Sequence, residues 1–201
     1  YNSGGSTGNY ILSHGMGKTP KFIIHKQLTS GNWWVYHADV IDDMKKYLQL
    51  NSSNAVATNS GNMWGASAPT DSVFGVSVGD LIGTSTDAIT YLWADVPGVQ
   101  KFGSYAGSSG TTFVNLGFRP ALLVIKFYDG TAIGSHAGWK VIDNQRNPIN
   151  ISGIMQKLAW DVSEAENGGT TISTSEGKVD FLSNGFRILD NHSPFNTAGR
   201  N

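Results

Sequence analysis

A chain of 201 residues with a net charge of −1 has room for one large or two small domains, and it lacks the basic excess that nucleic-acid binding demands. Hydrophobic residues make up 39% and charged residues only 14%, so a core can form while Ser, Thr, Asn and 25 glycines supply the polar surface. Cysteine is absent, which excludes disulfides, thiol catalysis and thiolate metal sites, and no apolar run approaches the roughly 20 residues of a membrane-spanning helix.

Residues 1–9 read as a Gly/Ser/Asn-rich loop, followed by short strands at Tyr10–Leu12, Phe22–Lys26 and Trp33–His37. Asp39 is expected to cap a short helix through Met44 and Lys45, because Ile41, Met44 and Leu48 have helical spacing. A strand at Leu48–Leu50 leads into a long polar loop, Asn51–Asp71, which holds Met63-Trp64. Strands at Val73–Val78 and Ile89–Ala94 follow, and Pro97-Gly98 is the natural joint. Beyond it, Phe102–Tyr105 and Thr112–Val114 open the second half of the chain. Asp129-Gly130 marks a turn, Gly138–Asp143 is a strand, and Ile151–Leu158 is a second short helix. Val179–Leu182 and Gly185–Leu189 form a hairpin across Ser183-Asn184. Many short strands with turns about every ten residues predict an all-β, antiparallel β-sandwich of jelly-roll or concanavalin-like type, with one or two short helices.

The sandwich is expected to consist of two tandem related halves. Gly17-Lys18-Thr19-Pro20-Lys21-Phe22-Ile23-Ile24-His25-Lys26 is answered by Gly117-Phe118-Arg119-Pro120-Ala121-Leu122-Leu123-Val124-Ile125-Lys126. The glycine permits an unusual backbone angle, the proline opens a strand, and the apolar run is the buried strand itself. In the same order, Asn32–His37 is answered by Gly138–Asp143, and Tyr47–Asn51 by Lys157–Asp161. Phe74 and its strand are answered by Phe181 and then Gly185–Leu189. The repeats are drawn as residues 1–97 and 98–201. The second lacks the counterpart of the strand Ile89–Ala94, and both ends are expected to be cut from a longer chain.

These blocks, with Phe102-Gly103-Ser104-Tyr105 and Phe181-Leu182-Ser183-Asn184-Gly185-Phe186, resemble a duplicated domain of tail-fibre and virion structural proteins of marine bacteriophages, notably cyanophages. The resemblance covers nearly the whole chain. It implies a lectin-like (concanavalin- or laminin-G-like) sandwich in a virion, made in the host cytoplasm. It also implies assembly with other virion chains, as a homo-oligomer such as a trimer, and attachment to host-surface glycans. It brings no catalytic residues.

Comparison of the copies sorts the aromatic residues. Trp33 and Val35 match Trp139 and Val141 and are expected on the core face, whereas Trp34, opposite Lys140 in the comparison, is expected to point outward as a ligand contact. Trp64, alone in a polar loop, is a second candidate contact, because tryptophan stacks on sugar rings and is favoured at interfaces. Trp93 and Trp160 are assigned to the core. His37, at a loop start, is a candidate sugar hydrogen-bond donor. Asp143-Asn144 heads the richest polar cluster, which either binds a sugar or stabilises a turn. The five histidines show no metal-ligand spacing, no calcium loop is present, and no Gly-x-Ser-x-Gly elbow or phosphate loop occurs. Asp42-Asp43 and Asp161, Glu164 and Glu166 do not read as a glycosidase pair. No catalytic residue, metal or cofactor is expected, and neither nucleic-acid binding nor membrane insertion. A capsule-depolymerising enzyme and a purely architectural spacer are the alternatives.

Overall fold

The structure is a computed structural model describing residues 1–129, 138–146, 150, 156–163, 166, 178–189 and 195–199. Among these residues the chain is all-β, with thirteen strands and no helix. It divides into two compact units, one of Tyr1–Leu50 with Val56–Asp95, the other of Asn51–Ala55 with Val96–Asn201.

The first unit holds β1 (Gly8–Ser13), β2 (Phe22–Gln27), β3 (Trp33–His37), β4 (Lys46–Gln49), β5 (Ala57–Thr58), β6 (Val73–Val78) and β7 (Ala88–Trp93). A five-stranded antiparallel sheet runs in the order β5-β4-β3-β2-β7, and β1 pairs with β6 in a second sheet. One core is filled from both. Ile23, Tyr36 and the partly buried Trp34 and Leu92 come from the larger sheet, Phe74, Val76 and Leu12 from the smaller, and Ile41, Met63, Trp64 and Leu81 from connections. Each large apolar side chain fully removed from water contributes about 1.5–3 kcal/mol.

The second unit holds β8 (Thr112–Asn115), β9 (Leu122–Lys126), β10 (Trp139–Asp143), β11 (Leu158–Ala159), β12 (Val179–Leu182) and β13 (Gly185–Ile188). Its two antiparallel sheets run β11-β10-β9 and β12-β13-β8. Leu123, Ile125 and Ile142 of the first pack with Val179, Phe181, Phe186 and Ile188 of the second, joined by Phe195. A core filled from two antiparallel sheets is consistent with a β-sandwich.

Two expectations about local structure are overturned. Residues 39–45 form turns rather than a helix. The Met44 carbonyl, which a helix would pair with a later amide, instead accepts the backbone N–H of Met63 (2.8 Å) and of Trp64 (3.2 Å). The Lys46 amide closes a tight turn on the Asp43 carbonyl, and Lys46 then enters β4. The stretch after Asn51 is not simply a polar loop, since it contributes β5 and buries Met63 and Trp64. Most of the second expected helix, 151–155, lies outside the described residues, as does Gly130 of the expected turn.

Candidate functional site

Strand β3 carries two of the expected contact residues, and alternation puts them on opposite faces. Trp34 shares a face with Tyr36 and packs against the first unit's core, its ring edge-on to Tyr47 at 4.9 Å. The outward placement of Trp34 is therefore corrected. Trp33, expected in the core, is 37% exposed. The inference failed because Lys140, read as a surface marker, is itself buried. On the opposite face His37 is half-buried and edge-on to Phe22 at 6.1 Å, and its Nδ1 accepts the Asp39 N–H at 3.3 Å. Burial lowers the His37 pKa, and the nearby Asp39 carboxylate partly opposes this.

Trp64 is not a surface contact. It is 1% exposed, meets Tyr36 edge-on at 5.6 Å, and donates its indole N–H to the Lys46 carbonyl at 2.9 Å. A glycine pair makes room for this seat. Gly65 adopts φ +74°, and a Cβ on Gly75 would collide with the Trp64 carbonyl and lie 2.9 Å from the Gly65 Cα. The surrounding Asn and Ser residues gave the wrong signal, while the neighbouring Gly65 was the informative one. Of the other tryptophans assigned to the core, Trp160 is exposed and Trp93 half-buried.

In the second unit Asp143 organises a turn. Its Oδ1 accepts the N–H of Gln145 (2.9 Å) and of Arg146 (2.8 Å), and its Oδ2 pairs with the Arg146 guanidinium. The backbone bond from Arg146 leads the set that lowers the Asp143 pKa. Asn144 donates its backbone N–H to the Ala121 carbonyl at 3.0 Å. Both therefore do turn work, and both belong to the second unit, whereas Trp34, His37 and Trp64 belong to the first.

Other described carboxylates are similarly occupied by structure. Asp80 accepts from Asn59 Nδ2 (2.8 Å) and Ser77 Oγ (3.0 Å), Asp161 from the Trp139 N–H (2.9 Å), and the buried Asp180 pairs with Arg187 at 2.6 Å. Among the described residues no group of three or more His, Cys, Asp or Glu is placed to hold a metal ion. His25, fully buried, bonds through Nδ1 to Thr90 Oγ1 at 2.9 Å, and its Nε2 has no hydrogen-bond partner. Burial pushes its pKa down to about 4, so the ring is neutral at pH 7.

One concavity is formed in the first unit by residues that the sequence did not single out as contacts. Ser13, Gly15, Gly17, Asp71 and Ser72 line a shallow depression of about 470 Å³. His14 ties its two walls together. Its backbone N–H donates to the Ser72 carbonyl (3.1 Å) and its Nδ1 accepts the Met16 N–H (3.1 Å), which leaves Nε2 to donate to the Thr70 carbonyl (3.2 Å). Hydroxyls and one carboxylate in so open a hollow can hydrogen-bond a polar ligand. They do not supply the two converging carboxylates of glycoside hydrolysis.

Fold and site together define an all-β protein of two antiparallel units, whose polar residues serve turns and ties between loops. The sequence matches the family described as a domain of unknown function, DUF7483, over residues 1–201, and the chain belongs to that family. No curated protein and no solved structure matches it significantly.

Proposed function

We propose that this chain is a non-enzymatic structural module of a bacteriophage virion, a fibre-type domain of two duplicated, lectin-like halves that serves assembly and contact with the host surface. The observation that carries the reading is the agreement of strand pairing between the two units. Lys26 lies opposite Trp33, and Lys126 lies opposite Trp139. Val35 faces Leu48 as Val141 faces Leu158, and Leu12 faces Phe74 as Val114 faces Phe186. Phe186, rather than Phe181, therefore holds the place of Phe74. Bonds between strands agree too. Ala38 N–H donates to the Lys21 carbonyl as Asn144 N–H does to Ala121, and Leu50 to Trp33 as Trp160 to Trp139. Gly17 and Gly117 both take positive φ, +64° and +81°, ahead of buried Pro20 and Pro120. A one-residue slip would invert every side chain, so agreement at this level supports a common pattern in the two halves.

The virion setting rests on the resemblance of the repeated blocks to phage fibre and structural domains, and the concanavalin-like, jelly-roll order is assigned on the same ground. The alternative of a purely architectural role draws support from one finding, that Trp64, Trp34 and Asp143 are taken up by packing and turns. The test is to expose the chain to a broad glycan array and to capsular polysaccharides, measuring both retention and release of reducing ends. Retention without cleavage supports an attachment module, and neither retention nor cleavage supports an architectural one. Release of reducing ends would overturn the non-enzymatic reading.

A further inference from the structure

On the five-stranded sheet of the first unit, the face turned away from the core carries a continuous run of rings. Residues paired across strands share a face, so the register aligns His37, Phe22 and Trp93 in one row and Val35, Ile24 and Tyr91 in the next. Tyr91 and Trp93 stack with ring centroids 6.1 Å apart and 25° between planes. Phe22 then bridges Trp93 at 5.7 Å and His37 at 6.1 Å. Ile24 and Val35 beneath are buried, whereas Tyr91, braced by Trp93, stays 42% exposed. The His37 end is polar. Its Nδ1 accepts the Asp39 N–H, which leaves Nε2 to carry the ring hydrogen. Lys21 and Asp39 form a partly exposed ion pair at 4.0 Å, and the Asp39 and Asp95 carboxylates and the Lys21 ammonium all act on the imidazole. The fold does not demand this run. At the places of Phe22 and His37 the second unit has Leu122 and Asp143, paired in the same register.

We propose that this run of rings is the chain's glycan-binding platform, taking a neutral oligosaccharide with one sugar ring on Tyr91 and hydroxyls reaching His37, Asp39 and Lys21. The proposal rests on the host-contact reading above and gives it a site. The surface itself specifies the occupant. A sugar ring has a face of C–H groups that suits the negative face of an aromatic ring, and an edge of hydroxyls that both donate and accept. The polar end answers that edge, since His37 Nε2 and the Lys21 ammonium donate and the Asp39 carboxylate accepts. Two carboxylates against one ammonium disfavour an anionic sugar there. Trp93 and His37 stand two strand spacings apart, about 10 Å, which calls for linked sugar rings rather than a single one. The ring pair is held in place before binding, so little side-chain freedom is lost on contact.

The experiment presents the full chain to an array of neutral and uronic-acid-containing oligosaccharides and titrates the best-retained one, following tryptophan fluorescence. The expected result is retention of neutral members over acidic ones, with an emission change that saturates. Tyr91→Ala should weaken binding roughly tenfold or more, and Tyr91→Phe, which keeps the ring, should retain most of it. Trp160→Ala, which removes an exposed tryptophan of the second unit, should bind as the parent does. Both positions are exposed, so circular dichroism should show every variant folded. Three results would overturn the proposal: no neutral oligosaccharide retained, binding unchanged by Tyr91→Ala, or an equal loss with Trp160→Ala. The first leaves the assembly role standing, and the second leaves host attachment standing with its site elsewhere. The non-enzymatic reading fails only on release of reducing ends, which none of the three involves, so the two failures are distinguishable.

Discussion

His25 sits where the second unit has Ile125, and this makes the replacement His25→Ile an informative perturbation. The imidazole is fully buried in β2, bonded only through Nδ1 to Thr90, 6.0 Å from the Tyr1 ring, with Lys26 nearby. Burial leads the causes that lower its pKa to about 4, and the positive charge of Lys26 adds to it. A histidine whose folded pKa is depressed is protonated first in the unfolded chain. The unfolded state therefore binds more protons between the two pKa values, and stability is full above about pH 6.5 and lost as pH falls toward 4. For a shift of that size the loss between pH 7 and pH 5 is about 2 kcal/mol. Denaturant unfolding of both proteins over this range is the assay. His25→Ile forfeits the Thr90 bond, about 1 kcal/mol at every pH, but its stability should fall less steeply with acid than that of the parent, by about that 2 kcal/mol. Equal slopes would refute the reasoning, because they would mean that His25 is hydrated in the folded protein.

Other consequences can be checked by the same unfolding measurements. Trp64→Ala should cost about 3–5 kcal/mol, as expected of an aromatic removed from a packed core; a loss under about 1 kcal/mol would return Trp64 to the surface. Gly75→Ala should destabilise by about 2 kcal/mol or more, because its Cβ meets backbone of Trp64 and Gly65 rather than a movable side chain. Arg187→Ala leaves the buried Asp180 carboxylate without its ion-pair partner and should cost about 1–2 kcal/mol, less than a fully buried pair because Arg187 is partly exposed. Adding Asp180→Asn should recover part of that loss, and an additive double variant would contradict the coupling.

Strand positions were the most legible part of the sequence. Trp33–His37 and Val73–Val78 were read with the observed bounds, and the Ser183-Asn184 hairpin with its flanking strands, because turn residues bracket short β-branched and aromatic runs. The orientation of β3 was not legible. Val35 and Tyr36, on opposite faces, are both buried, so the strand has no polar phase by which alternation could be oriented. Helical spacing at Ile41, Met44 and Leu48 misled because tertiary hydrogen bonds from Met63 and Trp64 claim the Met44 carbonyl. The contact residues were the least legible. An Asp at the head of a polar cluster looks the same whether it caps a turn or binds a ligand, and only its bonds to the Gln145 and Arg146 amides separate the two.

The most direct measurement is the cross-strand register of both hairpins in solution, mapped from nuclear Overhauser contacts along β2–β3 and β9–β10. The account predicts Lys26 opposite Trp33 and Lys126 opposite Trp139, with Ile24–Val35 and Val124–Val141 aligned two residues further in. A shift of even one residue in either hairpin would put unrelated side chains into the core and contradict the proposed common origin of the two units.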